Sequence, residues 1–275
     1  RNKTLLAITA SMLSLTTGNA QQKQSIDLTK DLGYKVEMQA SFSSNHTPLW
    51  LNANHYGLSS LDRTNGYVRA AVGRPLETDS ARRWGFGYKV DLAVPIHYTS
   101  DFVVQQAYAE ARWLKGTVTI GAKEQPMELK NNRLSTGSQT LGINARPVPQ
   151  VRLALAEYWA IPFTHKWISL KGHVSYGMMT DNGWQHSFTG MKSRYTDNVL
   201  LHTKAGYIKI GNGKIPFSAE LGLEMATQFG GTTHVPQGEG KPDNIIDNDK
   251  SLGAFWNAFT GGGADVPELG SAYQN

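Results

Sequence analysis

The sequence predicts an all-β protein: a large antiparallel transmembrane β-barrel, of which these 275 residues build about nine strands and leave the barrel incomplete. Three observations predict it. Long segments alternate strictly between apolar and polar residues, the period of a strand with two unlike faces. Several segments run past ten residues, where soluble strands average ~5–6. Short and long connections alternate along the chain, as in barrels with tight turns on one side of a membrane and long loops on the other.

The elements follow in order. Residues 1–20 read as a signal peptide. Arg1 and Lys3 supply positive charge, Leu5 to Thr17 an apolar core, and Gly18-Asn19-Ala20 a small-residue cleavage site before Gln21. Residues 21–33 form an N-terminal periplasmic segment, and 34–275 the barrel portion with long loops at 44–66, 125–149, 180–197 and 229–275. The strands fall at 34–43, 67–73, 84–98, 102–114, 117–124, 150–159, 166–179, 198–210 and 214–228. The first sets Tyr34, Val36, Met38, Ala40 and Phe42 against Lys35, Glu37, Gln39 and Ser41. The third, WGFGYKVDLAVPIHY, sets Trp84, Phe86, Tyr88, Val90, Leu92, Val94, Ile96 and Tyr98 against Gly85, Gly87, Lys89, Asp91, Ala93, Pro95 and His97. Tilted by ~45°, Phe86 to Ile96 rises roughly 23 Å, close to the ~25 Å apolar band of an outer-membrane barrel. Trp84 and Tyr98 then fall in the two aromatic girdles. A β-sandwich explains the alternation but neither the strand length nor the flanking aromatics. Pro95 cannot donate to a ladder, so a bulge or distorted pairing is expected near the outer rim. Segments 102–114 and 198–210 alternate imperfectly.

The short links are Lys115-Gly116, 160–165 and 211–213; the long ones are 125–149, 180–197 and everything from 229. Link 99–101 is a short exception outside and 74–83 a long one inside. Segment 44–66 lies outside or folds into the lumen. Nine strands would leave two unpaired edges in lipid, which is costly, and single-chain bacterial barrels usually have even strand counts. The chain is therefore expected to be the N-terminal portion of a longer protein.

Composition narrows function. Charged residues are 18% of the chain, below the ~25% of average proteins. Mean hydropathy is −0.39, and no run of 18 apolar residues occurs beyond the N-terminus, against a helical membrane protein. A charge of +5 favours anionic partners. Cysteine is absent, so stability comes without disulfides. HExxH and GxSxG motifs are missing, and the eight histidines show no ligand spacing. No catalytic residue, metal, cofactor or nucleic acid is expected. His97, His173 and His202, each near Ser or Asp, are the residues a barrel hydrolase would use. Gly211-Asn212-Gly213-Lys214 lacks phosphate-loop spacing and reads as a hairpin turn. Asp247-Asn248-Asp249 resembles the start of a calcium loop, but its glycine arrives late and Ala258 stands where a Glu ligand belongs, so a solvated turn is preferred.

The polar rows carry Lys35, Glu37, Lys89, Asp91, His97, Arg152, Lys171, His173, Glu220 and Glu224, suited to lumenal charge ladders or a channel lining. Loop 180–197 holds Trp184, His186, Phe188 and Tyr195 beside Lys192 and Arg194. The terminal segment holds Phe255, Trp256 and Phe259. Such rings either stack on sugars, with the cations suiting acidic ones, or pack the loops on each other.

Two segments, HTPLWLNANHYGLSS (His46–Ser60) and GAKEQPMELKNNRLSTGSQTLGINARPVPQVRL (Gly121–Leu153), carry a family resemblance, with NARPVPQVR (Asn144–Arg152) the most specific part. Together with the strands between them they resemble the capsule assembly Wzi family of Gram-negative outer membranes, in its Bacteroidetes-type form. The resemblance implies a barrel of about 18 strands, a chain considerably longer than this one, and a non-enzymatic lectin role. It also implies capsular or other surface polysaccharide and outer-membrane lipid as partners, with a monomer expected. Arg146 and Arg152 lie in the matched motif, as sugar ligands or as braces for segment 125–149, with bracing preferred. With Trp184, Tyr195 and Trp256 they make up the candidate polysaccharide-binding set. A porin and a barrel hydrolase are the alternatives.

Overall fold

The computed structural model describes residues 26–262 apart from 127, 133, 136–139, 143, 182, 191, 239 and 240. The signal-peptide reading and the end of the terminal loop lie outside the described residues. The described residues form twelve strands: β1 (Gly33–Phe42), β2 (Thr64–Arg74), β3 (Trp84–Ile96), β4 (Val103–Trp113), β5 (Gly116–Ala122), β6 (Gln150–Ala160), β7 (Ile168–Met178), β8 (Tyr195–Asp197), β9 (Leu200–Ile210), β10 (Ala219–Phe229), β11 (Thr232–Val235) and β12 (Asn244–Asp247). Nine of them form one antiparallel meander in the order β1-β2-β3-β4-β5-β6-β7-β9-β10. The nine strands expected from the sequence are these nine. The sheet is not closed: β1 and β10 each have a single neighbour. No helix among the described residues is long and apolar enough to cross a membrane.

The polarity of the sheet is inverted relative to a water-soluble core. In β3 the even-numbered row points outwards, with Trp84, Val90, Leu92, Val94 and Ile96 all exposed, while Asp91 and Ala93 beside them are fully buried. Antiparallel register carries this division across the sheet, because directly paired residues share a face. Tyr34, Val36, Met38 and Phe42 of β1 are exposed, and so are Val118 and Ile120 of β5 and Val151 and Leu153 of β6. On the inner face Gln105, Gln106, Glu110, Thr117, Thr119 and Ser175 are buried. Trp84 and Trp113 stack 5.9 Å apart at one edge of the exposed band.

Three departures from expectation have a local reason. His97 adopts a left-handed φ of 59° and ends β3 at Ile96. Tyr98 therefore leaves the outer row and does not take a girdle position; it packs inside against Leu58, Tyr67, Ala93 and Val103. The bulge expected at Pro95 lies elsewhere. Pro95 pairs with Tyr67 in unbroken β2–β3 register, while the β3–β4 ladder shifts between Asp91, opposite Gln106, and Leu92, opposite Val104. Gln105 is the extra residue, so two successive glutamines are buried on the inner side, and the imperfect alternation of 102–114 is this bulge. β10 starts at Ala219 rather than 214, because Pro216 has no N–H for the ladder.

The long inner link also has a role. After β2 the chain makes a one-turn 3-10 helix, Leu76–Asp79, that folds up under β3 and β4. Gly85 and Gly87 make room for it: a Cβ on Gly87 would sit 2.9 Å from the Leu76 nitrogen and from the Glu110 Oε1. Arg74 clamps the turn by donating to Asp79 at 2.9 and 3.1 Å. The guanidinium holds the Asp79 carboxyl below the usual carboxylate range.

Two small units sit at the far ends of β7, β9 and β10. β8, β11 and β12 form a separate three-stranded sheet. A helix, Leu252–Thr260, starts at Ser251, whose hydroxyl accepts from the Ala254 N–H at 3.3 Å. Its Ala254, Phe255 and Ala258 pack on Tyr176, Leu200 and Phe229, which belong to outer rows of the main sheet. The helix thus covers the outer face of that end.

Candidate binding site on the inner face

The inner face is organised by charge pairing. Arg69 of β2 makes a forked contact with Asp91 of β3, at 2.7 and 2.6 Å, and reaches Glu124 at 2.9 Å. Lys89 at 3.1 Å and Gln106 at 3.2 Å complete the shell of Asp91. Lys123 pairs with Glu110 at 2.6 Å, and Lys35 and Tyr67 hold Glu37. Arg69–Asp91 and Tyr67–Glu37 cross between strands, while Lys89–Asp91 and Lys35–Glu37 run along one, so the polar rows pair up as the sequence suggested. Farther along, Lys171 pairs with Glu128 at 2.6 Å and Lys209 with Glu220 at 2.7 Å. The Tyr207 ring lies over Gly222, where any Cβ would collide with it, and its hydroxyl donates to Glu224.

Two long connections fold onto this face instead of standing away from it. In the segment after β1, Leu58 is buried on the inner face with Tyr67, Ala93 and Val103. The segment after β5 meets it there. Asn144 accepts from the backbone N–H groups of His55 at 3.1 Å and Gly57 at 3.0 Å, and donates to the Ser59 hydroxyl at 2.6 Å. Gly57, in the left-handed region at φ 79°, lets Arg146 come so close that a Cβ on it would be 2.9 Å from the Arg146 Cβ. Tyr56 is fixed through its carbonyl by Gln105 of the bulge at 3.0 Å. The contact therefore joins His46–Ser60 to Asn144–Arg152, the two stretches singled out in the sequence.

Below this junction lies a cavity of about 200 Å³ whose lining includes Tyr56, Glu128, Arg146, Arg152, His173 and Glu224. A second of about 540 Å³ shares Arg146, Pro147, Val148 and Leu201 with it. Arg146 reaches the cavity from the loop. Arg152 reaches it from the inner row of β6, where it pairs with Thr119 and Ser175. Among the described residues neither guanidinium has a hydrogen bond or ion pair, so the bracing bonds expected of them do not form. Burial without a counter-ion pushes the Arg146 pKa down from its ordinary value, although a guanidinium stays protonated.

The aromatic candidates lie elsewhere. Trp184 opens the short helix Trp184–Thr189 and stacks on Phe188 at 4.7 Å. Tyr195 is in β8 and is only 3% exposed, with the His234 ring parallel to it at 4.7 Å. It is not an open platform for a sugar, because its face is already covered. Trp256 is well exposed on the helix over the outer face and stacks on Phe259 at 5.7 Å. Arg146 and Arg152 thus share one cavity, and Trp184, Tyr195 and Trp256 do not line it.

The three histidines also separate. The His97 ring meets the Thr64 carbonyl, and His202 meets the Ser175 carbonyl at 3.0 Å from beneath the outer helix. His173 contacts the Thr203 hydroxyl at 3.3 Å, which in turn meets Ser175 at 2.6 Å. Among the described residues no carboxylate bonds to any of these three rings. Asp247 and Asp249 engage Lys250 and Ser251, so the stretch that resembles a calcium loop serves as a turn and a helix start. Asn144 was legible only as part of a motif; its role as a clasp depends on loops that alternation does not describe. Compared with known proteins, the chain matches no family model, no curated protein and no solved structure.

Proposed function

We propose that this sheet is part of the wall of an outer-membrane β-barrel that binds capsular or other surface polysaccharide, in the manner of the capsule assembly Wzi family. The observation that carries the reading is the inverted polarity. An apolar outer face on a sheet in which every strand but the seven-residue β5 has 10 to 13 residues matches lipid, and a buried polar inner face matches a lumen. The unpaired edges of β1 and β10 call for further strands to close the sheet, since open edges are not tolerated in hydrocarbon.

The binding role is preferred over the porin because two long segments fold inwards, clasp each other and occupy the inner face, whereas a diffusion channel needs that space open. A barrel hydrolase lacks support in the histidine environments described above. Two measurements test the reading. The mature full-length protein should fractionate with outer membranes, and its deletion should release surface polysaccharide into the medium. A soluble mature protein sinks the barrel. Steady single-channel conductance in planar bilayers, with polysaccharide retention unchanged on deletion, replaces the binding role with the porin.

A further inference from the structure

The strongest unexplained feature inside the sheet is the pair of cations without partners. Most charges around the smaller cavity are matched: Lys123 by Glu110 and Lys171 by Glu128, both at 2.6 Å. Glu224 is held by the Tyr207 hydroxyl and by Thr140 at 3.1 Å. That leaves two half-buried guanidiniums, Arg146 and Arg152, with no hydrogen bond or ion pair among the described residues, while the two carboxylates of the same lining, Glu128 and Glu224, are bonded to other side chains and act on Arg152 only at a distance. Withdrawing an ion from water without a partner is costly, and a fold meets that cost most readily when a ligand supplies the counter-charge. Arginine is also the side chain whose planar fork matches a carboxylate.

We propose that Arg146 and Arg152 form a carboxylate-binding subsite for an acidic sugar unit of the polysaccharide. The proposal rests on the surface-polysaccharide reading above and specifies its chemistry. At about 200 Å³ the chamber lies below the ~300 Å³ lower bound of pockets for drug-sized ligands. It therefore takes the acid-bearing end of one sugar, not a length of polymer. The adjoining chamber of about 540 Å³, which shares Arg146, takes the rest of the unit. Tyr56 supplies a ring at the same wall, and aromatic faces suit the apolar side of a pyranose. One cation comes from a strand and the other from a loop clasped by Asn144, so the subsite exists only when the two inward segments are docked.

The test uses the full-length protein in detergent micelles, with glucuronate and glucose as probes and calorimetry as readout. Glucuronate is expected to bind at least tenfold tighter than glucose. Arg152→Gln and Arg146→Gln should each remove that preference by tenfold or more while heat-modifiable migration of the barrel is unchanged. Arg152→Lys should recover part of it. Should Arg152→Gln fail to fold, the loop variant Arg146→Gln still decides. Equal affinity for the two probes overturns the subsite, as does wild-type discrimination in a folded Arg146→Gln protein. If such variants still hold purified acidic polysaccharide, the subsite falls and the binding reading stands. If wild-type protein holds no polysaccharide at all, the binding reading falls with it. Chloride or phosphate competing as well as glucuronate would mark a general anion path and overturn the sugar assignment.

Discussion

The two halves of the main sheet obey the same register but meet different surroundings. Over β1 to β5 the outer rows are bare; Tyr34, Val36, Met38 and Phe42 of β1 are each more than 70% exposed. Over the far ends of β7, β9 and β10 the outer rows include His202 and Lys204, and the helix Leu252–Thr260 lies on them. His202 is fully buried there, and Lys204 donates to the Phe259 carbonyl and sits 4.7 Å over its ring. The inner faces differ in the opposite sense. Asp91, under β2 to β4, is fully buried in its network, whereas the Lys209–Glu220 pair is about a third exposed. The comparison teaches that the outer row is uniformly apolar where no other part of the protein lies on it and mixed where protein covers it, and only the first gives a clean period of two.

The largest expected effect breaks the inner half of the comparison. Asp91→Ala takes from Arg69 its forked partner and leaves it Glu124 alone, and is expected to cost ~3 kcal/mol, read from denaturant unfolding in vesicles. Lys209→Ala, at the more open pair, should cost less than ~1 kcal/mol in the same assay. Equal losses would show that the two networks are not differently buried. Next comes the outer face: Val94→Arg, in the middle of the bare row, should destabilise by ~2–4 kcal/mol in a bilayer, as a cation on a lipid face does. The wild-type cation Lys204 is tolerated because the helix shields it. A negligible effect of Val94→Arg would mean that lipid does not cover β3. The smallest effect sharpens the covered half. Ser251→Ala removes the helix cap and should cost ~1 kcal/mol, seen as faster acylation of Lys204 by an amine reagent while the unfolding of β1 to β5 is unchanged.

Much of this architecture was legible in the chain. Most of the main-sheet strands and the inward face of Arg152 follow from alternation, because a one-residue slip would turn every side chain over. What escaped was whatever breaks the period. The Gln105 bulge keeps two neighbours on one side, and His97 reverses the row just before Tyr98. β8, β11 and β12 are three or four residues long, too short to show a period. The helix Leu252–Thr260 does carry a signal in the sequence: Leu252, Phe255, Trp256 and Phe259 recur at helical spacing between a Ser cap and Gly261. For the site, the motif identified both arginines, but their lack of counter-ions is a property of the folded neighbourhood. The covered face of Tyr195 likewise depends on His234, thirty-nine positions away in the sequence.

The Asn144 clasp also says something about the order of assembly. Its bond to the Gly57 amide spans 87 residues, and β2, β3, β4 and β5 all lie in between. Contacts of such long range form only after the intervening pairings have brought their ends together. The clasp is therefore among the last parts of this region to close. Slowed deuterium uptake at the His55 and Gly57 amides would time the moment when strand pairing becomes a finished interior.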